Sequence, residues 1–211
     1  MDQLLTWPGR EVWLVDSGPP AVYYLVDRAA GGVLINAPRF SRDTYEDLRR
    51  HAEPRFLFLP SRLGVCDLKA WREVGLRVLV SAQEEGVDDA DLRIGAEHKL
   101  TRTIDFLALP GRTRGTCALR LKNLPGALFV GPALACGDSG WPELIPNPDD
   151  YSYESRFIGV VGLKGQTFES LFTDTFVLGR SHFGPAAQNA LRAHIESLLA
   201  YDPPPVSRTP G

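Results

Sequence analysis

Long apolar runs are missing from this sequence. Nowhere do roughly 18 consecutive apolar residues occur, the length a helix needs to cross a bilayer. The opening MDQLLTWPGREVW carries an acid at its second position and no apolar core of signal-peptide length. These absences predict a cytoplasmic protein with no membrane partner. Cysteine is scarce too: Cys66, Cys117 and Cys136 lie far apart, form no C-x-x-C pair and are odd in number, which suits a reducing compartment and argues against a structural disulfide. Neither sign of charge is in excess. A formal net charge of −3 and an isoelectric point near 5.8 give no bulk pull toward nucleic acid, so nucleic acid is not an expected partner. Phosphate loops are absent, since GLKGQTF has glycines and a lysine without Walker or G-x-G-x-x-G spacing. Histidine is sparse, and the stretch FLFLPSRLGVCDLKAW, residues 56–71, contains none.

What is present suits one large domain over residues 1–201, because 211 residues with 44% hydrophobic content can bury a real core. Apolar or alternating runs at residues 11–15, 21–27 and 31–38, broken by SGPP and AAGG, predict a β-meander. Ser41 is placed to cap a helix over RDTYEDLRRHAE, with acids early and Arg49 and Arg50 late. The strand RFLFLP follows, then a loop, a short helix DLKAWREVG and the strand RVLVS. After the acidic segment QEEGVDDADLR, the runs TIDFLALP, TCALRLK and GALFVG predict further strands. PELIPNPDDYSY, residues 142–153, reads as a long surface excursion in which Trp141, Tyr151 and Tyr153 are candidate interface anchors. A last helix from near Pro185 carries an apolar stripe of Ala187, Leu191, Ile195, Leu198 and Leu199, and residues 202–211 read as a disordered tail.

In this order, YYLVD, GGVLINAP, FLFLPS, RVLVS, LALPGRTRGTCALRL and ALFVGPAL resemble the metallo-β-lactamase fold superfamily, from about residue 21 to residue 199. The resemblance implies an α+β protein, a four-layer αβ/βα sandwich, whose members with intact ligands are metal-dependent hydrolases. One branch of the family carries T-H-R-D-D-V-A-D-H before a helix containing Trp. PSRLGVCDLKAW matches it at Arg62, Val65, Asp67 and Trp71, but Ser61 and Leu68 stand where histidines would be, and Leu63 and Gly64 where acids would be. Asp67 alone remains. Asn36 in LINAP replaces the acid of D-x-P, Arg112 replaces the histidine of P-G-H-T, and Pro132 replaces the bridging Asp of L-F-T-G-D. His182 in FVLGRSHFGP offers the last histidine, at a shifted spacing.

A zinc or iron site needs imidazoles and carboxylates converging on one point; leucine, proline and arginine do not substitute for them. Ser61, Leu63, Asp67, Leu68, Arg112, Pro132 and His182 therefore read as a remnant site with no metal and no cofactor. Arg112 is expected to pair with Asp67 inside the former metal cavity, since buried charges need partners. An alternative reading has Arg62, Arg112 and Arg114, with His182, line a cleft that binds a small anion. Cys66 has no histidine beside it to activate its thiol, Cys117 alternates with Leu119 and Leu121 as core, and Ser61 has no triad context. His51, His98 and His194 read as structural or exposed. The expected function is a pseudoenzyme acting by binding or assembly, with a protein or small anion as partner and a homo-oligomer open. The rival is a hydrolase with a rearranged or single metal held by Asp67, His182 and an acid such as Asp138.

Overall fold

The computed structural model describes residues 1–200 apart from Ala96 and Leu124, so the expected tail at 202–211 lies outside the described residues. β1 (Asp2–Trp7), β2 (Arg10–Asp16), β3 (Val22–Asp27), β4 (Gly31–Ile35), β5 (Pro54–Leu59), β6 (Arg77–Ser81) and β7 (Leu92–Ile94) form a seven-stranded sheet in sequence order. The β1–β4 portion is an antiparallel meander, and β4 to β7 pair in parallel. That change explains the unbroken apolar runs FLFL and VLV, because parallel strands here are covered on both faces. β8 (Ile104–Ala108), β9 (Cys117–Leu121) and β10 (Ala127–Gly131) begin a second sheet. A small ribbon, β11 (Ala135–Cys136) with β12 (Pro142–Glu143), interrupts it, and β13 (Ser170–Thr173) completes it in the order β13-β10-β9-β8.

Helices α1 (Arg42–His51) and α2 (Leu68–Glu73) cover the outer face of the first sheet, and α3 (Tyr153–Gly162) and α4 (Ala187–Leu199) that of the second. Three apolar layers result. Between the sheets, Tyr23, Leu25, Phe58 and Leu119 surround Phe129 stacked on Phe172 at 4.7 Å. Tyr24, Leu34, Leu48 and Trp71 fill the layer under α1 and α2. Leu128, Val130, Leu191 and Ile195 fill the layer under α3 and α4. The period-2 alternation of β3 sends Tyr23 into the first layer and Tyr24 into the second, so one strand serves both. The architecture is the αβ/βα sandwich implied by the resemblance.

Local chemistry explains the element ends. Ser41 Oγ accepts a hydrogen bond from Thr44 N at 3.0 Å, and Arg49, Arg50 and His51 occupy the last turn of α1. Trp71 is fully buried and donates its indole N–H to Pro38 O at 3.0 Å, which ties α2 to the segment after β4. His51 stacks on Trp13 at 4.0 Å, so its role is packing. Two expectations need correction. Leu199 is exposed rather than part of the stripe of α4, because Ala187, Leu191 and Ile195 already occupy the face turned to the core. Tyr153 is the first residue of α3 rather than the end of an irregular excursion, with Ser152 Oγ accepting from Ser155 N at 3.1 Å as its cap.

Candidate functional site

The parallel strands β5, β10 and β13 end on one side of the sandwich, where loops are free to converge on a ligand. A cleft of about 370 Å³ opens there. It is lined by Pro19 and Pro20 before β3, Leu63 after β5, Arg112 after β8, Pro132 after β10, Asp174 after β13, and Ile145, Pro146 and Asn147 of the proline-rich excursion. A wider depression of about 470 Å³ lies at the other end of β3, but its Arg10 is committed to Asp27 and Thr103, each at 2.7 Å. The strand-end cleft is the better candidate.

The remnant positions do not all meet there. Ser61 is buried and its Oγ accepts from Leu63 N at 3.2 Å, capping a single helical turn over Arg62–Gly64. That turn leaves Leu63 exposed at the cleft and presses Gly64 against Asn36, whose Oδ1 would lie 2.0 Å from a Cβ at Gly64. Leu68 turns into the core under α2. Asp67 points elsewhere: its Oδ2 accepts from Phe40 N at 2.9 Å. The expected Arg112–Asp67 pair is therefore not formed, because Asp67 holds the chain ahead of α1 while Arg112 meets the excursion.

His182 also lies outside the cleft. Its ring packs against Trp141 with centroids 4.9 Å apart and planes tilted by 41°, and its backbone N–H donates to Gly140 O at 2.8 Å. The strand that pairs in parallel with β10 is β13, which ends at Thr173, so the residue delivered to the cleft is Asp174. Arg62 reaches Glu84 at 3.2 Å and Arg114 reaches the exposed Glu85 at 2.9 Å; neither lines the cleft. Asp138 pairs with Arg180 at 3.1 Å. His98 Nδ1 accepts from Gly95 N, and His194 Nε2 accepts from Leu144 N at 2.9 Å, with burial lowering its pKa. Two of the thiols are unactivated: burial pushes Cys117 up to about 12 with the charge of Glu84 adding to it, and burial and then Asp67 raise Cys66.

Two buried arrangements frame the cleft. In the first, Asn36 at φ 63° donates Nδ2 to Asp174 Oδ1 and to Ala21 O, both at 2.8 Å. Asparagine tolerates this left-handed conformation better than most residues. Asp174 Oδ2 and Asn36 Oδ1 have no hydrogen-bond partner among the described residues. Burial pushes the Asp174 carboxyl up to about 7, and the Asn36 bond offsets this only in part. In the second, Arg156 on α3 is buried and donates Nε to Ala133 O at 2.8 Å and Nη1 to Ile145 O at 2.9 Å. Its Nη1 also reaches both oxygens of Asp150, at 3.1 and 2.9 Å. Arg112 stands 3.7 Å from Asp150 Oδ1, beyond hydrogen-bonding distance.

These residues do not fit a metal. Arginine and proline occupy two strand-end positions, Asp150 is engaged by Arg156, and the free oxygen of Asp174 is sealed from solvent. Among the described residues no group of three or more His, Cys, Asp or Glu is placed to hold an ion. Arg112 brings a permanent positive charge to the cleft, which disfavours a cation there.

Sequence comparison finds no match, either to the patterns of known protein families or to curated proteins. Comparison with solved structures does. The chain superposes on a Cronobacter sakazakii metallo-β-lactamase with a HARLDQ motif at TM-score 0.58 and 18% identity, covering 95% of each chain. It superposes on an archaeal metallo-β-lactamase superfamily protein from Sulfolobus tokodaii at TM-score 0.62 and 11% identity, covering 95% of this chain and 90% of the other. A metallo-β-lactamase family protein from Thermus thermophilus matches at TM-score 0.60 and 15% identity, over 92% of this chain and 80% of its own. This chain has the metallo-β-lactamase fold.

Proposed function

We propose that this is a metallo-β-lactamase-fold protein that works without a metal, as a binding protein rather than a hydrolase, with the strand-end cleft as its binding site. One observation carries the reading: Leu63, Arg112 and Pro132, which the resemblance puts at metal-ligand positions, line one cleft. A fold supplies a scaffold, and activity needs the residues that do the chemistry. Tyr151, exposed and bonded through its N–H to Arg112 O, and the neighbouring Tyr153 offer a second contact surface on the same side for a protein partner.

A structural metal would contribute folding free energy through linkage, whereas a metal-free fold owes it nothing. EDTA is accordingly expected to leave the melting temperature unchanged within measurement error. A clear drop on chelation, restored by zinc, would contradict the reading.

A further inference from the structure

The Arg112 guanidinium donates no hydrogen bond among the described residues, although its side chain is only 16% exposed. The nearby carboxylate belongs to Arg156: both Asp150 oxygens accept from Arg156 Nη1, at 3.1 and 2.9 Å. Arg156 takes the hydrogen bonds of Asp150, and Arg112, 3.7 Å from Asp150 Oδ1, keeps only a long ion-pair contact there and has its donors unfilled at the cleft. A largely desolvated guanidinium with unfilled donors is costly, and its planar fork matches a carboxylate in bidentate fashion.

The rest of the lining is mixed: Asn147, Thr175 and Asp174, whose carboxyl is bonded to Asn36, are polar, and most of the remainder is apolar. Leu63 and Ile145 line the cleft while 43% and 41% exposed, and Pro132 and Leu134 continue the apolar surface. Exposed large apolar side chains around a cleft of about 370 Å³ suit the hydrocarbon body of a small molecule. A dianion such as phosphate fits less well, because the other basic candidates, Arg62 and Arg114, are paired away from the cleft. We propose that the cleft takes a small amphipathic monocarboxylate, its carboxylate on Arg112 and its hydrocarbon against Leu63, Pro132, Leu134 and Ile145. This ligand class rests on the binding reading above.

Calorimetric titration of EDTA-dialysed protein with octanoate, acetate, octan-1-ol and inorganic phosphate tests the proposal. Octanoate is expected to bind roughly tenfold or more tighter than each of the other three, since it alone supplies both halves of the contact. Arg112→Met should weaken octanoate by roughly tenfold to a hundredfold and leave octan-1-ol unchanged. Ile145→Ser, at an exposed position that folding tolerates, should bring octanoate toward the affinity of acetate, which keeps the test decisive if Arg112→Met does not fold. No binding of octanoate, equal binding of octan-1-ol, or octanoate affinity unchanged in a folded variant overturns the proposal. Failure of octanoate with metal-free protein removes the ligand class alone, whereas a tightly held metal removes the metal-free reading and leaves the octanoate result standing.

Discussion

Asp174→Asn is expected to stabilise the protein by up to about 4 kcal/mol near pH 8, and by almost nothing near pH 4. The carboxyl is buried, its Oδ2 has no partner among the described residues, and burial pushes its pKa up to about 7. An unfolded aspartate titrates near its ordinary value, so between that value and about 7 the folded state binds more protons than the unfolded state. Stability contributed by the protonated group is complete below the unfolded pKa and is lost as pH rises through the folded one. The groups that face it add no compensating charge: Asn36 is a neutral amide, and Tyr23, whose hydroxyl donates to Thr173 O, has its own pKa raised by burial and then by Asp174. An asparagine keeps the Oδ1 acceptor and puts an uncharged amide where the carboxylate oxygen has no partner. Urea denaturation of both proteins near pH 4, 6 and 8 should show a gap that widens with pH. A gap independent of pH would show that Asp174 does not carry this titration.

Arg156→Ala should be the more damaging of two arginine deletions, costing roughly 3–5 kcal/mol, because it strands a buried carboxylate. Asp150 would lose its hydrogen-bonded partner, and the carbonyls of Ala133 and Ile145 would lose their donor. Arg112→Ala removes a 3.7 Å contact without a hydrogen bond and leaves Asp150 its Arg156 partner, so it is expected to cost clearly less than Arg156→Ala. Chemical denaturation of the two variants reads the difference directly. The reverse order would assign Asp150 to Arg112 and take away the unfilled donors on which the ligand proposal stands.

Strands β2 to β6 and β8 to β10 were legible because each run carries its own signal, such as alternation in β2 and unbroken apolar stretches in parallel β5 and β6, and α1 had its serine cap. Strands β1 and β7, the latter overlapping the acidic segment, were not. Leu63, Arg112 and Pro132, read from the resemblance as replaced ligand positions, line one cleft. Partnerships were not legible. Arg112 meets Asp150 from the excursion, and Asp67 is taken by the backbone of Phe40, contacts that depend on how distant loops return. Helix α3 was hidden by Gly159, Gly162 and its β-branched residues, which depress helix propensity, and packing overrides that preference. Gly111 shows the same dependence. At φ 139° it lies so close to α3 that a Cβ would sit 2.2 Å from that of Arg156. β13 is four residues long, and its signal in ESLFTDTF was a charged residue directly after a fully buried strand. That pattern marks Asp174 as the cleft residue that His182 had been expected to supply.

Metal content bears most directly on the claim that this fold works here without its metal. Protein expressed in zinc-supplemented medium and dialysed without chelator is to be analysed by inductively coupled plasma mass spectrometry for zinc, iron and manganese. The residues at the strand ends predict no stoichiometric metal. Roughly one equivalent retained through dialysis, and released by replacing Asp174 or His182, would contradict the account.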